Sequence, residues 1–196
     1  DPLTGQRERS WGTEGGQVRQ VVWVDGGKSI VTGHRDGTLR RFETASFEEE
    51  PAVEIQVGPS RELDETFQGL IPDGVWSIAA IPGSTKVLVA DIGHARDIGD
   101  RLEAWDMQEG DFLWENTEPG NISNLAVDQT GTRYFGLRFL EDVSEGAIAD
   151  GVWTRTIADG WGERPVHFHF LTVSPDGSRL AVAGAGGFDE IGRIPS

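Results

Sequence analysis

Short apolar segments alternate with turn residues along most of the chain. In residues 18–43, three apolar segments are separated by Asp25-Gly26 and by Asp36-Gly37. Asp-Gly pairs accept the positive φ that tight hairpins require, and alternating apolar and polar positions are typical of half-buried strands. The pattern predicts a meander of antiparallel strands.

The same pattern recurs three more times. The turn glycines that follow the first apolar segment of each copy are Gly26, Gly83, Gly131 and Gly177, so the copies are separated by 57, 48 and 46 residues. Repeats of roughly 40 to 50 residues are typical of propeller blades, whereas the strands of a sandwich need not resemble one another. The sequence therefore predicts an all-β fold, a β-propeller of four-stranded antiparallel blades with about four repeats.

The repeats divide the chain into predicted blades at 18–73, 74–120 and 121–164, with an incomplete blade at 165–196 and the end of a preceding blade at 1–17. In the third copy the third strand is predicted at 151–154. In the fourth copy a turn is predicted at 185–190, with the third strand opening at 192. Residues 6–11 could complete the last copy and close a four-bladed ring. The favoured interpretation is a larger ring of seven or eight blades, completed by further sequence or by another chain.

Three motifs resemble those of the WD-repeat (WD40-like) propeller family. Trp105-Asp106 resembles the dipeptide that names the family, the segment 174–177 (Ser-Pro-Asp-Gly) resembles its first hairpin, and Thr32-Gly33 with Asp36-Gly37 resembles its second. Phe42-Glu43 and Trp153-Thr154 are expected in place of the dipeptide in two copies. The family's buried network of His, Ser or Thr, Asp and Trp is expected to be incomplete. The resemblance implies a rigid scaffold for protein interaction.

Composition narrows the possible partners. Thirty-three acidic and 17 basic residues give a net charge of −16, which repels a phosphate backbone, so no nucleic-acid partner is expected. No apolar run approaches the length of a membrane span. The absence of cysteine excludes disulfides and a cysteine nucleophile.

Tryptophan is frequent in the repeats. Five of the seven tryptophans occupy repeated strand positions and are predicted to fill the core between sheets: Trp23, Trp76, Trp105, Trp114 and Trp153. Trp161, which stands between glycines, is predicted to be exposed.

Three long connections carry the predicted binding site. They are residues 58–73, 91–100 and 141–150, and propeller geometry would place all three on one face. The predicted binding residues are Arg61, Asp64, Phe67, His94, Arg96, Asp97, Glu141, Asp142 and Trp161. The alternative is that the lengths of these loops vary without functional consequence.

No sequence motif for a nucleophile, a phosphate loop or a zinc protease is present, so no catalytic residue, metal or cofactor is predicted. The segment 91–100 contains three carboxylates and His94, which are ligands available to calcium, but its spacing fits no EF-hand loop. A solvated acidic loop is the preferred interpretation. The sequence therefore favours a non-catalytic protein-interaction scaffold that binds a protein or peptide. The alternative function is a calcium-dependent hydrolase- or lactonase-type propeller enzyme.

Overall fold

The computed structural model describes residues 17–46, 53–56, 74–91, 101–117, 122–138, 142–159, 168–184 and 187–193. These residues form four sheets. The first contains β1 (Val18–Val24), β2 (Ser29–His34), β3 (Thr38–Glu43) and β4 (Val53–Gln56), and the second contains β5 (Val75–Ala80), β6 (Lys86–Asp91), β7 (Arg101–Asp106) and β8 (Asp111–Asn116). The third contains β9 (Ile122–Val127), β10 (Arg133–Arg138), β11 (Asp142–Ala147) and β12 (Trp153–Asp159), and the fourth contains β13 (Phe168–Val173), β14 (Arg179–Gly184) and β15 (Gly187–Arg193).

Each sheet is an antiparallel meander in chain order. Three sheets have four strands and the fourth has three, and every strand pairs with its neighbour in sequence. Glycines with positive φ stand at the first hairpin of each sheet, at 62° for Gly26, 71° for Gly83, 68° for Gly131 and 69° for Gly177. The predicted all-β architecture of antiparallel meander sheets is confirmed. Within the ranges given above, no helix has the length and hydropathy that a membrane crossing requires.

The third sheet corrects two predictions. Residues 142–147 form strand β11, so 141–150 is not a long loop, and Trp153 opens the fourth strand and not the third. The strand position that Trp105 occupies in the second sheet belongs here to Gly146, because Tyr134 pairs with Gly146 as Val87 pairs with Trp105. The Tyr134 ring fills the space beside Gly146, where a Cβ atom would collide with it. A tryptophan at this position would therefore not fit.

The fourth sheet corrects a third prediction. Its third strand, β15, begins at Gly187, so residues 187–190 are strand and not turn, and the strand begins five residues before 192. Ala183 pairs with Phe188 and Val182 with Asp189 across this short connection.

Apolar residues between neighbouring sheets form the core. Val31 and Leu39 of the first sheet pack against Ile78 and Val89 of the second, and all four are almost fully buried. Two further clusters lie between the second and third sheets and between the third and fourth. Burying a side chain of this size contributes roughly 1.5–3 kcal/mol. Packing of sheet on sheet is therefore what holds the blades together.

The tryptophan prediction is wrong at one position. Trp76, Trp105, Trp114 and Trp153 are partly buried, but Trp23 is 64% exposed. Trp23 points away from the second sheet, because the opposite face of β1, with Val22 and Val24, contributes to the core. The Trp23 indole lies on a face of β1 that would pack against a preceding sheet, but no sheet among the described residues covers it.

The first strands of neighbouring sheets lie side by side and are joined by a repeated hydrogen bond. The backbone N–H of Ile78 donates to Gln20 Oε1 at 2.8 Å, that of Leu125 to Ser77 Oγ at 3.0 Å, and that of Leu171 to Asn124 Oδ1 at 3.0 Å. Each acceptor follows the single residue that bulges from the first strand. We call Gln20, Ser77 and Asn124 the inter-sheet acceptors.

Candidate functional site

The meander topology places two kinds of connection on one rim. Connections from second to third strands and from one sheet to the next leave the same edge, because each strand reverses direction. We call this edge the loop rim, and the opposite edge, with the hairpins around Gly26, Gly83, Gly131 and Gly177, the turn rim. The connections 57–74 and 92–100, which carry most of the predicted binding residues, are flanked by strand ends at the loop rim.

One predicted site residue, Asp142, is among the described residues. Arg61, Asp64, Phe67, His94, Arg96, Asp97, Glu141 and Trp161 lie outside them, and their role in binding stays a prediction. Asp142 begins β11 and is buried instead of lying in a loop. The structure therefore gives Asp142 a local structural role at the loop rim.

Asp142 forms a two-point ion pair with Arg138 across the ends of β10 and β11. Arg138 Nε donates to Asp142 Oδ1 at 2.7 Å, Arg138 Nη2 donates to Oδ2, and Ser144 Oγ donates to Oδ1 at 3.0 Å. Burial alone would raise the pKa of Asp142, but these hydrogen bonds and the Arg138 charge lower it below its usual value. The ion pair fixes the base of the short connection 139–141.

A buried polar cluster occupies the equivalent place in the first sheet. The Oγ1 of Thr32 is 2.7 Å from Nε2 of the fully buried His34, and Asp36 accepts hydrogen bonds from the backbone and side chain of Thr38 at 3.0 and 2.6 Å. Arg40 lies 3.6 Å from Asp36. Partial desolvation of Asp36 would raise its pKa, but the hydrogen bonds from Thr38 and the charge of Arg40 lower it below its usual value. In the sequence, Thr32 and Asp36 mark only a turn, so this cluster was not predicted.

In the second sheet, the dipeptide Trp105-Asp106 makes contacts of its own. Trp105 Nε1 donates to Glu103 Oε2 at 2.8 Å. Asp106 Oδ1 accepts hydrogen bonds from Thr85 Oγ1 at 2.6 Å and from the Gln108 N–H at 3.0 Å, which ties two turns of the turn rim together. Glu103 is 2% exposed, and burial raises its pKa above the usual value. The tryptophan thus bonds to a carboxylate of its own strand.

The metal hypothesis gains no support from the described residues. Among them, no group of three or more His, Asp or Glu side chains is arranged to hold a metal ion. The segment 92–100, with His94 and Asp97, lies outside the described ranges.

Comparison with known proteins identifies the architecture. No protein-family model matches the sequence, and no curated protein matches it. Among solved structures, the β-propeller domain of Cps50 (Swd1) from Myceliophteria thermophila superimposes with a TM-score of 0.65 at 13% sequence identity. The match covers 91% of this chain and 52% of that chain.

The fold is that of a β-propeller. At 13% identity the likeness concerns the fold alone, and this chain spans about half the length of the propeller domain that it matches. The propeller architecture that the resemblance of Trp105-Asp106 and of the hairpins implied is thereby confirmed. Activity and partners do not follow from the match.

Proposed function

We propose that this chain is part of a non-catalytic protein-interaction scaffold that binds a protein or peptide through its loop rim. The observation that carries the proposal is topological: the strand ends that flank the long connections 57–74 and 92–100 belong to the same rim of a packed stack of sheets. Rigid scaffolds place binding residues on such loops, because the loops tolerate variation that the packed strands do not.

The charge of the chain supports a particular class of partner. A net charge of −16 favours a basic protein or peptide and accelerates its association at low ionic strength. Several basic groups at the base of the loop rim are already paired, as Arg138 is with Asp142 and Arg40 with Glu54. The positively charged side chains of the partner would therefore pair with acidic loop residues such as Asp64 and Asp97.

Selection from a random peptide library displayed on phage tests the proposal. Peptides enriched on the wild-type chain at about 0.15 M salt should be rich in Lys and Arg and should bind less tightly as the Debye length falls. The double variant Phe67→Ala/Asp97→Ala should weaken the best peptide at least about tenfold, the scale of one lost interaction of about 1.4 kcal/mol.

A matched control keeps the loop rim intact. Lys28→Ala/Glu109→Ala changes two turn-rim residues and should leave peptide affinity unchanged. Failure to enrich any peptide family would contradict the proposal, and so would loss of affinity in the control alone, which would place the binding surface on the turn rim.

A further inference from the structure

The two ends of the stack of sheets expose surfaces of the kind that is buried at the three described interfaces. At the first sheet, Val21 is 51% and Trp23 64% exposed, and at the fourth sheet Phe170 is 70% exposed. In every sheet the first strand contains one bulged residue. Val21, Ile78, Leu125 and Leu171 each lie two positions after that bulge, so they are equivalent residues of the four sheets. Ile78, Leu125 and Leu171 are each buried against the preceding sheet.

The repeated inter-sheet hydrogen bond makes the two ends of the stack chemically different, because the later sheet always donates and the earlier sheet always accepts. The backbone N–H groups of Ile78, Leu125 and Leu171 donate to the acceptor of the preceding sheet. Val21 holds the corresponding place in the first sheet, and none of the described side chains accepts its N–H. The outward face of the first sheet therefore combines exposed apolar side chains with a backbone donor that no described side chain accepts.

The fourth sheet cannot supply the matching acceptor. Register places Phe170 where the other sheets carry Gln20, Ser77 and Asn124, and a phenyl ring accepts no conventional hydrogen bond. A ring closed by the fourth sheet, or a head-to-tail pair of identical chains, would leave the Val21 N–H without its bond at a buried interface. An unsatisfied buried donor weakens an interface, which selects against both arrangements.

We infer that the outward face of the first sheet, defined by Val21, Trp23 and Ile30, docks an additional propeller-type sheet whose first strand carries a polar acceptor at the inter-sheet position. The surface continues an interface that the chain already repeats three times, and the propeller domain of similar fold contains about as much chain again as this one covers. Propellers have typically 4–8 blades, which accommodates the additional sheet.

A gain of association tests this inference. Phe170→Asn gives the fourth sheet the missing acceptor, and a second copy of the variant then becomes the probe for the first-sheet face. Sedimentation equilibrium should show head-to-tail association of Phe170→Asn at least about tenfold tighter than that of Phe170→Leu, which lacks an acceptor. Adding Trp23→Glu to Phe170→Asn should abolish the gain, because it places a charge on the docking face.

The controls make each outcome decisive. Phe112→Asn changes another exposed aromatic residue, on β8, and should leave association at the wild-type level. Circular dichroism confirms that each variant is folded. Equal association of folded Phe170→Asn and Phe170→Leu overturns the inference, and so does association that survives Trp23→Glu. A wild-type chain that dimerises as tightly as Phe170→Asn would identify a second copy, with Phe170 in place, as the occupant.

Discussion

Gln20, Ser77 and Asn124 are polar residues in strands that are otherwise largely apolar. Each satisfies a backbone donor of the next sheet that the strand ladder cannot reach, at distances of 2.8, 3.0 and 3.0 Å. A buried N–H without an acceptor is costly. These side chains therefore stabilise the packing of one sheet on the next, in addition to the apolar residues.

Removal of one acceptor should destabilise the chain measurably. Ser77→Ala leaves the Leu125 N–H buried and unpaired, and we expect the free energy of unfolding to fall by about 1–3 kcal/mol in urea denaturation. Ser123→Ala is the matched control, because Ser123 Oγ donates to Leu137 O at 3.0 Å within its own sheet and is only partly buried. Equal effects of the two substitutions would contradict a specific inter-sheet role.

Glu103 is the opposite case, a carboxyl that burial penalises. Its folded pKa is raised, so the unfolded chain ionises more readily, and stability is lost as pH rises from the usual carboxyl range through the folded pKa. Glu103→Gln keeps an acceptor for Trp105 and removes the ionisation. Its melting temperature relative to wild type should therefore increase between pH 4 and pH 7.

The comparison is made by thermal melting monitored by circular dichroism at both pH values. The exposed Glu115 provides the control, because Glu115→Gln should not show the same gain. A constant difference between Glu103→Gln and wild type at the two pH values would show that Glu103 does not titrate in this range.

Residue-level expectations from sequence were correct where the repeat determines them and incorrect where the neighbouring sheet does. Four of the five strand tryptophans are partly buried, but Trp23 is exposed. Its exposure could not be predicted, because nothing in its own repeat reveals whether a sheet lies before it. The inter-sheet acceptors were predictable in principle. They precede the turn glycines by six or seven residues, and a comparison of the repeats would have shown Phe170 as the exception.

At the scale of elements, turns are held by aspartate. Asp128 accepts hydrogen bonds from Thr130 Oγ1 at 2.8 Å, from the Thr132 N–H at 3.0 Å and from the Arg133 N–H at 3.1 Å. Asp176 is held similarly by Ser174 and Ser178, whose hydrogen bonds lower its pKa to about 2. The Asp-Gly and related pairs that predicted the hairpins therefore act through the carboxylate as well as through the glycine.

Asp128 should make the stability of the third sheet dependent on acid. Burial would raise its pKa, but the hydrogen bonds from Thr130, Arg133 and Thr132 lower it, so its stabilising contribution is present above the unfolded value near about 3.9 and is lost as pH falls through the folded value. Asp128→Asn should cost about 1–3 kcal/mol at pH 7 and markedly less at pH 3.

Urea unfolding at the two pH values measures this difference. Asp111→Asn, at an exposed position, serves as the control for a general change of charge. If Asp128→Asn were equally destabilising at pH 3 and pH 7, ionised Asp128 would not be the source of the turn's stability.

Element boundaries were hardest to predict in the third blade. The segment 142–147 lacks the aromatic residue that ends the third strand of the second sheet, because Tyr134 occupies the space at Gly146. Trp153 supplies an apolar signal one strand later, and its ring packs on Tyr134 with centroids 4.9 Å apart. The signal was real, but the structure assigns it to a different strand.

At the scale of the whole molecule, charge acts on every part of the surface. A net charge of −16 implies mutual repulsion in the compact state, which added salt screens. We expect the melting temperature to rise between about 0.05 M and 1 M NaCl. Equal melting in NaCl and in sodium sulfate of the same ionic strength would support screening, whereas a fall in NaCl would contradict it.

The position of the loop rim followed from strand order alone, and the topology supports it. The side-chain arrangement at that rim did not follow, because the clusters around His34, Glu103 and Asp142 depend on which strands pair and on how deeply each end is buried. Repeat patterns carry strand order well, but they carry little information about contacts between one blade and its neighbours.

The inter-sheet acceptors also have a consequence for how such a chain can grow. The second and third blades each receive a bond through their first strand and offer one, in the same direction, to the blade that follows. Duplication of a whole unit such as 74–120 would thus preserve every donor and acceptor, whereas inversion or partial duplication would orphan one of them. The three acceptor side chains therefore give the blade a direction, and all three bonds among the four copies run in that direction.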